Sequence, residues 1–150
     1  MQKGMTTMEL LRLVAFAGVL FIIVLIGLPY LFTKYHSGQI LTAVYDRAQE
    51  VRRNPSLKTQ QMQNTITAFS LSKKVGQWFF EQNPAGNGFS IQVRPVSQMI
   101  CNYIVASPLK ADSLHVNGVP YKKGTETCTK SDENVMVFFF DVTGSSNRRR

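Results

Sequence analysis

The chain has 150 residues, which corresponds to one domain of ordinary size. Lysine and arginine outnumber the acidic residues by 17 to 9, so the formal net charge is +8 and a nucleic acid, an anionic membrane or an acidic partner must each be considered. Residues 13–33 carry no charge and 17 of these 21 are apolar, whereas residues 34–150 are mostly polar. This division excludes a simple cytosolic globule, and the lack of a second apolar run of roughly 20 residues excludes a polytopic membrane protein.

The first predicted element is an apolar helix near the N-terminus. An ordinary secretory signal has an apolar core of about 7–15 residues followed by small residues at a cleavage site. Here large side chains occupy the positions where that site would fall. At 1.5 Å per residue, residues 13–33 match the roughly 30 Å hydrocarbon core of a bilayer. The sequence therefore predicts a retained spanning helix.

A carboxylate, Glu9, lies at the start of this helix. An ionisable group at the edge of a spanning helix is costly without a partner, so it is a functional candidate. The simpler interpretation is a helix-start glutamate near the positive end of the helix dipole, with Arg12 three residues later as its partner in the same chain. The residues around Glu9 suggest a second interpretation.

The segment Gly-Met-Thr-Thr-Met-Glu, followed by an apolar helix, resembles the class III signal of type IV prepilins and pseudopilins. Gly4, Met5, Thr6 and Glu9 meet the fixed positions of that pattern. The resemblance implies that a prepilin peptidase cuts between Gly4 and Met5 on the cytoplasmic side and methylates the new amine. It also implies that this amine faces the Glu9 carboxylate of a neighbouring subunit, and such a buried pair sets register more than affinity.

Two further features of the helix bear on assembly. Arg12 departs from the family pattern, in which the glutamate is the usual charge of this stretch, and it either competes for Glu9 or extends to the cytoplasmic headgroups. Gly27 and Pro29 interrupt the apolar run, so we expect a kink or a locally unwound segment there. The resemblance implies extension of this segment in a filament, and a tolerated kink of any transmembrane helix is the alternative.

Beyond the apolar run the pattern becomes amphipathic. Apolar residues recur at helical spacing from Ile40 to Val51, so the helix is expected to continue to about Arg53 and to end before Asn54-Pro55. A second helix is predicted from Ser56 as N-cap; its apolar positions are Leu57, Met62, Ile66 and Phe69. An aromatic cluster that includes Trp78 is predicted to be core, and residues 83–88 are predicted to be a loop.

The C-terminal half is predicted to form a short helix and several strands. Residues 89–94 alternate apolar and polar side chains, which predicts a strand ending at Pro95. A short helix is expected over 99–104, closing near 107–108. Asn117-Gly118 indicates a tight hairpin because these residues accept positive φ angles. Residues 135–142 are apolar on both faces and are predicted to form a central strand.

The cysteines are Cys101 and Cys128, 27 positions apart. In an oxidising compartment they are expected to form a disulfide that stabilises by roughly 3 kcal/mol, and two buried free thiols are the alternative. Neither belongs to a Cys-x-x-Cys motif, so a zinc site is not expected. A bridge in the C-terminal part resembles the type IV pilins. A short helix that carries Cys101, a later cysteine and a terminal apolar strand resemble the type IVb group, as does methionine at the start of the mature chain.

The sequence offers little catalytic chemistry. His36 and His115 are isolated, and no triad, paired-carboxylate, phosphate-loop or dinucleotide pattern is present. Asp132 and Glu133 alone provide too few oxygen ligands for a calcium site, so a solvated turn is predicted. We expect no cofactor, no metal and no enzymatic activity. The arginines of residues 148–150 permit contact with nucleic acid phosphates, but exposed terminal runs are more often solvated, and no aromatic and basic alternation supports such a surface.

Together these features predict an α+β, pilin-like fold, in which a long helix packs on a small antiparallel sheet. The expected organisation is a leader over 1–4, a transmembrane and assembly helix over 5–33, a periplasmic or extracellular globular domain over 34–142 and a basic flexible tail over 143–150. The resemblance implies a filament subunit that begins in the bacterial inner membrane with a cytoplasmic N-terminus. Its partners would be identical or related pilins, prepilin peptidase and an inner-membrane assembly platform.

Three other functions remain open at the level of the sequence. Within the family, the chain is alternatively a pseudopilin of a type II secretion system. Outside it, a signal-anchored binding domain with a basic surface would stay in the membrane and never assemble. A membrane-anchored enzyme is the third, and it requires a site that the sequence does not reveal.

Overall fold

The computed structural model describes residues 6–59, 66–67 and 77–142. Its elements confirm the predicted α+β class, with a long apolar N-terminal helix against a small antiparallel sheet. In chain order they are α1 (Thr7–Arg53), a 3-10 helix (Pro55–Thr59), β1 (Ile66–Thr67), β2 (Gln77–Ala85), β3 (Gly88–Val96), α2 (Gln98–Ala106), β4 (Ser113–Val116), β5 (Val119–Pro120) and β6 (Asn134–Asp141).

The helix α1 ends where the sequence predicts. Asn54 closes the last turn by donating its N–H to the Glu50 carbonyl at 2.9 Å, and Pro55 cannot continue the helix. The buried residues of its second half recur every three or four positions, which places them on one stripe of the helix. They are Ile40, Val44, Ala48 and Val51, as the amphipathic pattern predicts.

The sheet has the strand order β1-β2-β3-β6-β4-β5, and every pairing is antiparallel. Strand β6 lies between β3 and β4, which confirms the predicted central strand. Its side chains alternate between buried and half-buried, so Met136, Phe138 and Phe140 belong to the core that includes the α1 stripe. The hairpin between β4 and β5 turns at Asn117 (φ 52°) and Gly118 (φ 81°), as predicted.

The loop predicted over 83–88 is wrong for most of its length. Asn83, Pro84 and Ala85 are the end of β2, and only two residues separate this strand from β3. The described part of β1 pairs only with Gln77 and Trp78, so Pro84 lies on an edge of the described sheet, where a missing N–H is tolerated. At the start of β3, a Cβ on Gly88 would collide with the Phe140 carbonyl, so the approach of β3 to β6 requires glycine.

The second helix predicted from Ser56 is also wrong. In the described residues a 3-10 helix spans Pro55–Thr59 in place of the α-helix, and Ile66 pairs with Trp78 in a strand. The buried Gln82 side chain donates to the carbonyls of Leu57 and Lys58 at 2.7 and 2.9 Å, so contacts with β2 override the local helical pattern. The predicted helix positions Met62 and Phe69 lie outside the described residues.

Strand β2 runs beside the second half of α1, because Trp78 contacts His36 and Gln82 accepts a hydrogen bond from Arg47, and this gives the domain two ends. At one end the Trp78 ring lies 5.4 Å from the His36 ring, and we call this the proximal end. At the other, Lys58 donates to the Gly86 carbonyl at 3.0 Å, and Arg52 lies 3.6 Å from Asp112. We call this the distal end, and the turn between β2 and β3 belongs to it.

Candidate membrane-anchoring site

The start of α1 is organised by Glu9. The Thr6 backbone N–H donates to Glu9 Oε2 at 3.0 Å, while the Thr6 carbonyl accepts from the N–H groups of Glu9 and Leu10. A carboxylate in the first turn also interacts favourably with the positive end of the helix dipole. Glu9 therefore fixes the helix start within its own chain.

The charged neighbour of Glu9 does not pair with it. Arg12 is exposed, and in the part of the chain that the structure describes it forms no ion pair with Glu9. The partner suggested by the simpler interpretation of the sequence is thus absent here. Gly4 and Met5, which define the predicted cleavage position, lie outside the described residues.

The described residues leave most of the first half of α1 uncovered. Its large apolar side chains from Met8 to Tyr35 are each 44–72% exposed. This is the one helix in the described residues that is long and apolar enough to cross a membrane. Exposed apolar surface of this extent is typical of a segment that contacts lipid or other protein.

The predicted helix breaker does not break the helix. Gly27 and Pro29 lie inside α1, which stays helical throughout residues 7–53, so the locally unwound segment expected there is not present in this structure. The Thr33 hydroxyl donates to the Pro29 carbonyl at 2.8 Å, one turn later in the helix. Extension of this segment in an assembled filament stays a prediction.

The change from exposed to packed helix is abrupt. Tyr35 is 55% exposed, but His36 is 4% exposed and Ser37 is fully buried. The His36 ring lies against Trp78, which confirms the core role predicted for that tryptophan. Three buried polar atoms near this boundary have no hydrogen-bond partner among the described residues: His36 Nδ1, Ser37 Oγ and Gln39 Oε1. His36, one of the two isolated histidines of the sequence, is therefore a core residue where the exposed part of α1 meets the packed part.

The helix α2 packs beside the same boundary. The rings of Tyr30 and Tyr103 meet edge to face, with centroids 6.3 Å apart.

A disulfide joins Cys101 to Cys128, with their Cα atoms 5.9 Å apart, so the predicted bridge is present and the alternative of two free thiols is excluded. This bridge ties the loop before β6 to α2.

The sequence does not predict the role of Asn134, which organises that loop. The fully buried Asn134 donates through Nδ2 to the carbonyls of Val96, Thr129 and Ser131. Its Oδ1 accepts from Asn117 Nδ2 and from the Thr129 N–H and hydroxyl. An asparagine at the start of a strand carries no sequence signal for such a role, because two of its partners, Val96 and Asn117, come from distant parts of the chain.

The remaining sequence candidates do not come together. His115 packs on Phe139, with ring centroids 4.7 Å apart, while Asp132 and Glu133 are exposed. In the described ranges no group of three or more histidine, cysteine or acidic side chains is placed to hold a metal ion. The basic tail, including residues 148–150, lies outside those ranges.

Comparison with known proteins gives no relative: no family model, curated protein or solved structure matches this chain. The class of the protein is therefore described from its structure alone. It is an α+β protein with one long apolar N-terminal helix that is compatible with a single-pass membrane anchor.

Proposed function

We propose that this chain is a type IV pilin-like subunit, anchored in the bacterial inner membrane and then assembled into a filament through its apolar helix. Prepilin peptidase cleaves between Gly4 and Met5 and methylates the Met5 amine. The observation that carries the proposal is the uncovered apolar half of α1, which continues without a break into the stripe packed on the domain. The residues that match the prepilin signal lie directly before it.

This arrangement suits a subunit that moves from lipid into an assembly. Lipid chains and the apolar faces of neighbouring helices are similar in polarity, so exchanging one for the other depends on packing and polar contacts and not on a hydrophobic driving force. A helix with exposed apolar side chains over most of its surface accommodates several neighbours. In this proposal the inner-membrane assembly platform catalyses the exchange, and the chain performs no chemistry of its own.

The helix start leaves room for a contact between subunits. Glu9 uses Oε2 to cap its own helix, and its second oxygen accepts no hydrogen bond from any described residue. An ionised carboxylate accepts several hydrogen bonds, so the same side chain can cap α1 and bind the methylated amine of a neighbouring Met5. Helix capping and axial register are then two roles of one residue.

The processing step is tested by the mature N-terminus. Mass spectrometry of the chain from cells that contain a prepilin peptidase is expected to find Met5 as the first residue, carrying one methyl group. A chain that retains Met1 in those cells would refute the processing and, with it, the family assignment.

The role of the Glu9 charge is tested by Glu9→Gln. Glutamine keeps an oxygen that accepts from the Thr6 N–H but removes the charge, so the helix start survives and the pair with the Met5 amine is lost. We expect filament incorporation to fall to background while the membrane level is unchanged. The matched control is Arg12→Gln, which leaves Glu9 charged and is expected to assemble. Normal assembly of Glu9→Gln would exclude the register role.

One observation favours a second candidate, a signal-anchored binding domain that never assembles. Because Glu9 already has a partner in its own chain, its presence at the membrane edge does not require a neighbouring subunit. This candidate predicts an intact Met1 and permanent retention in the membrane fraction. The mature N-terminus therefore discriminates between the two.

A further inference from the structure

The helix α2 presents an uncharged face that the domain does not cover. None of its nine residues is charged, and Ile100, Cys101 and Ile104 are buried against the domain. The opposite face contains Met99, which is 55% exposed, and also Asn102, Ala106 and the half-buried Tyr103. A helix face without charges is unusual for a surface in contact with bulk water.

The contact between Tyr30 and Tyr103 fixes the level of α2 along α1. Side chains of a helix lean towards its N-terminus, so the Tyr30 ring lies at or before the level of its own Cα atom. Tyr30 comes four residues before Lys34, which is about 6 Å along the helix. If residues 13–33 span the roughly 30 Å hydrocarbon core, the Tyr30 ring lies about 6 Å inside its outer boundary. The Tyr103 ring centroid is 6.3 Å from that of Tyr30, so even the largest outward displacement leaves Tyr103 at about that boundary.

We propose that α2 rests in the outer interface of the bilayer that α1 crosses, with Tyr103 beside Tyr30 and the exposed Met99 facing the lipid. This inference rests on the membrane anchoring in the proposed function. Met99 precedes Tyr103 by one helical turn and shares its side of α2. The protein then contacts the membrane through two helices, and the proximal end of the domain faces the lipid.

The occupant is lipid because the α2 face continues a surface already suited to lipid. The exposed apolar half of α1 reaches Tyr35, and Tyr30 lies within it and contacts α2 directly. Tyrosine is enriched at membrane interfaces, where its ring is apolar and its hydroxyl meets water. The single amide of Asn102 is tolerated at that depth because headgroups and water provide hydrogen bonds.

The test measures the depth of a fluorescent reporter in the full chain reconstituted into phosphatidylcholine and phosphatidylglycerol vesicles. Met99→Cys is labelled with an environment-sensitive dye under non-reducing conditions, which preserve the Cys101–Cys128 bridge. Lipids with spin labels at shallow or deep acyl positions quench the dye according to depth. We expect the Met99 reporter to be quenched by the shallow labels several times more strongly than the same dye at Asn87→Cys, in the distal turn.

Two further variants separate the possible failures. A reporter at Ile23→Cys, near the middle of residues 13–33, is expected to be quenched by the deep labels. A reporter at Asn102→Cys is expected to lose its shallow quenching when Met99→Glu is added, because a carboxylate removes α2 from lipid.

The outcomes are distinct. If Ile23 is quenched by deep labels and Met99 behaves like Asn87, the anchor stands and the α2 inference is overturned. If Asn102 quenching is unaffected by Met99→Glu, the contribution of the Met99 face is also overturned. If Ile23 is not quenched, the anchoring in the proposed function fails, and the inference fails with it.

Discussion

The two halves of α1 have the same secondary structure but opposite surroundings. Up to Tyr35 the large apolar side chains are exposed, whereas from His36 onward one stripe packs against the domain with Ile40 and Val44 fully buried. Both halves form one continuous helix. The difference shows that backbone hydrogen bonding does not require tertiary burial along the whole helix, and that the pattern of apolar residues decides what each half contacts.

The halves also differ in how strongly their apolar pattern fixes the orientation of the helix. A stripe limited to one face specifies a single orientation against the domain, because a rotation of α1 would expose it. A segment that is apolar on all sides specifies no orientation by itself. In the first half, orientation therefore depends on its few polar groups, and Glu9 is the one that the proposed function uses.

The largest difference between the halves is expected from a matched pair of isoleucines. Ile40→Ala removes a fully buried side chain and should lower the free energy of unfolding of the domain by about 3–5 kcal/mol. Ile23→Ala changes a side chain that is 60% exposed and should leave that value unchanged. Chemical denaturation in detergent, followed by Trp78 fluorescence, measures both. Equal losses would show that the halves are not independent.

The next effect concerns the bridge that holds α2 and the loop before β6. Replacing Cys101 and Cys128 by serine should cost about 3 kcal/mol, because the unfolded chain regains the freedom of a loop closed over 27 positions. The loss should vanish when the unmodified protein is compared under reducing conditions. A domain that unfolds at the same denaturant concentration with and without the bridge would contradict this expectation.

A somewhat smaller loss is expected at Asn134. Asn134→Ala leaves the carbonyls of Val96, Thr129 and Ser131 without this donor, and each buried group left unpaired costs about 1–3 kcal/mol, which nearby water partly offsets. We expect a net loss of about 2 kcal/mol and faster amide exchange at Thr129, whose N–H bonds to Asn134 Oδ1. Asn83→Ala is the control, since that side chain hydrogen-bonds only weakly, at 3.4 Å, to Glu81. Unchanged exchange at Thr129 would contradict the role of Asn134.

The smallest effect is expected at the start of the exposed half. Glu9→Ala removes the acceptor of the Thr6 N–H and the favourable charge, which should destabilise the first turn by about 0.5–1 kcal/mol. Amide exchange at Leu10 and Leu11 should accelerate in detergent micelles, while the unfolding of the domain stays unchanged. Accelerated exchange in Glu9→Gln as well would show that the charge and not the acceptor holds the turn.

The sequence predicts the features that depend on local pattern. The end of α1 before Pro55, its buried stripe, the Asn117-Gly118 turn and the central strand β6 all follow from spacing or from backbone restrictions of single residues. It fails where distant partners decide. Leu57 begins a helical pattern but gives its carbonyl to Gln82, and Pro84 belongs to a strand edge that is visible only after the sheet has formed.

The same reasoning applies to the candidate site. The exposed apolar half and Glu9 are evident from composition, because no fold is needed to see an uncharged run with one carboxylate before it. The burial of His36 and the level of α2 are not evident, since each depends on a contact with a residue far away in the sequence.

The uninterrupted course of α1 couples the angular positions of its two halves. Each residue of an α-helix turns the chain by about 100°, so one residue inserted between Tyr35 and His36 would rotate the whole domain by that angle relative to Glu9, with no change in either half. Seven inserted residues would return the domain to within about 20° of its original direction while moving it about 10 Å outward. The number of residues between the two halves therefore sets the direction in which the sheet faces relative to Glu9.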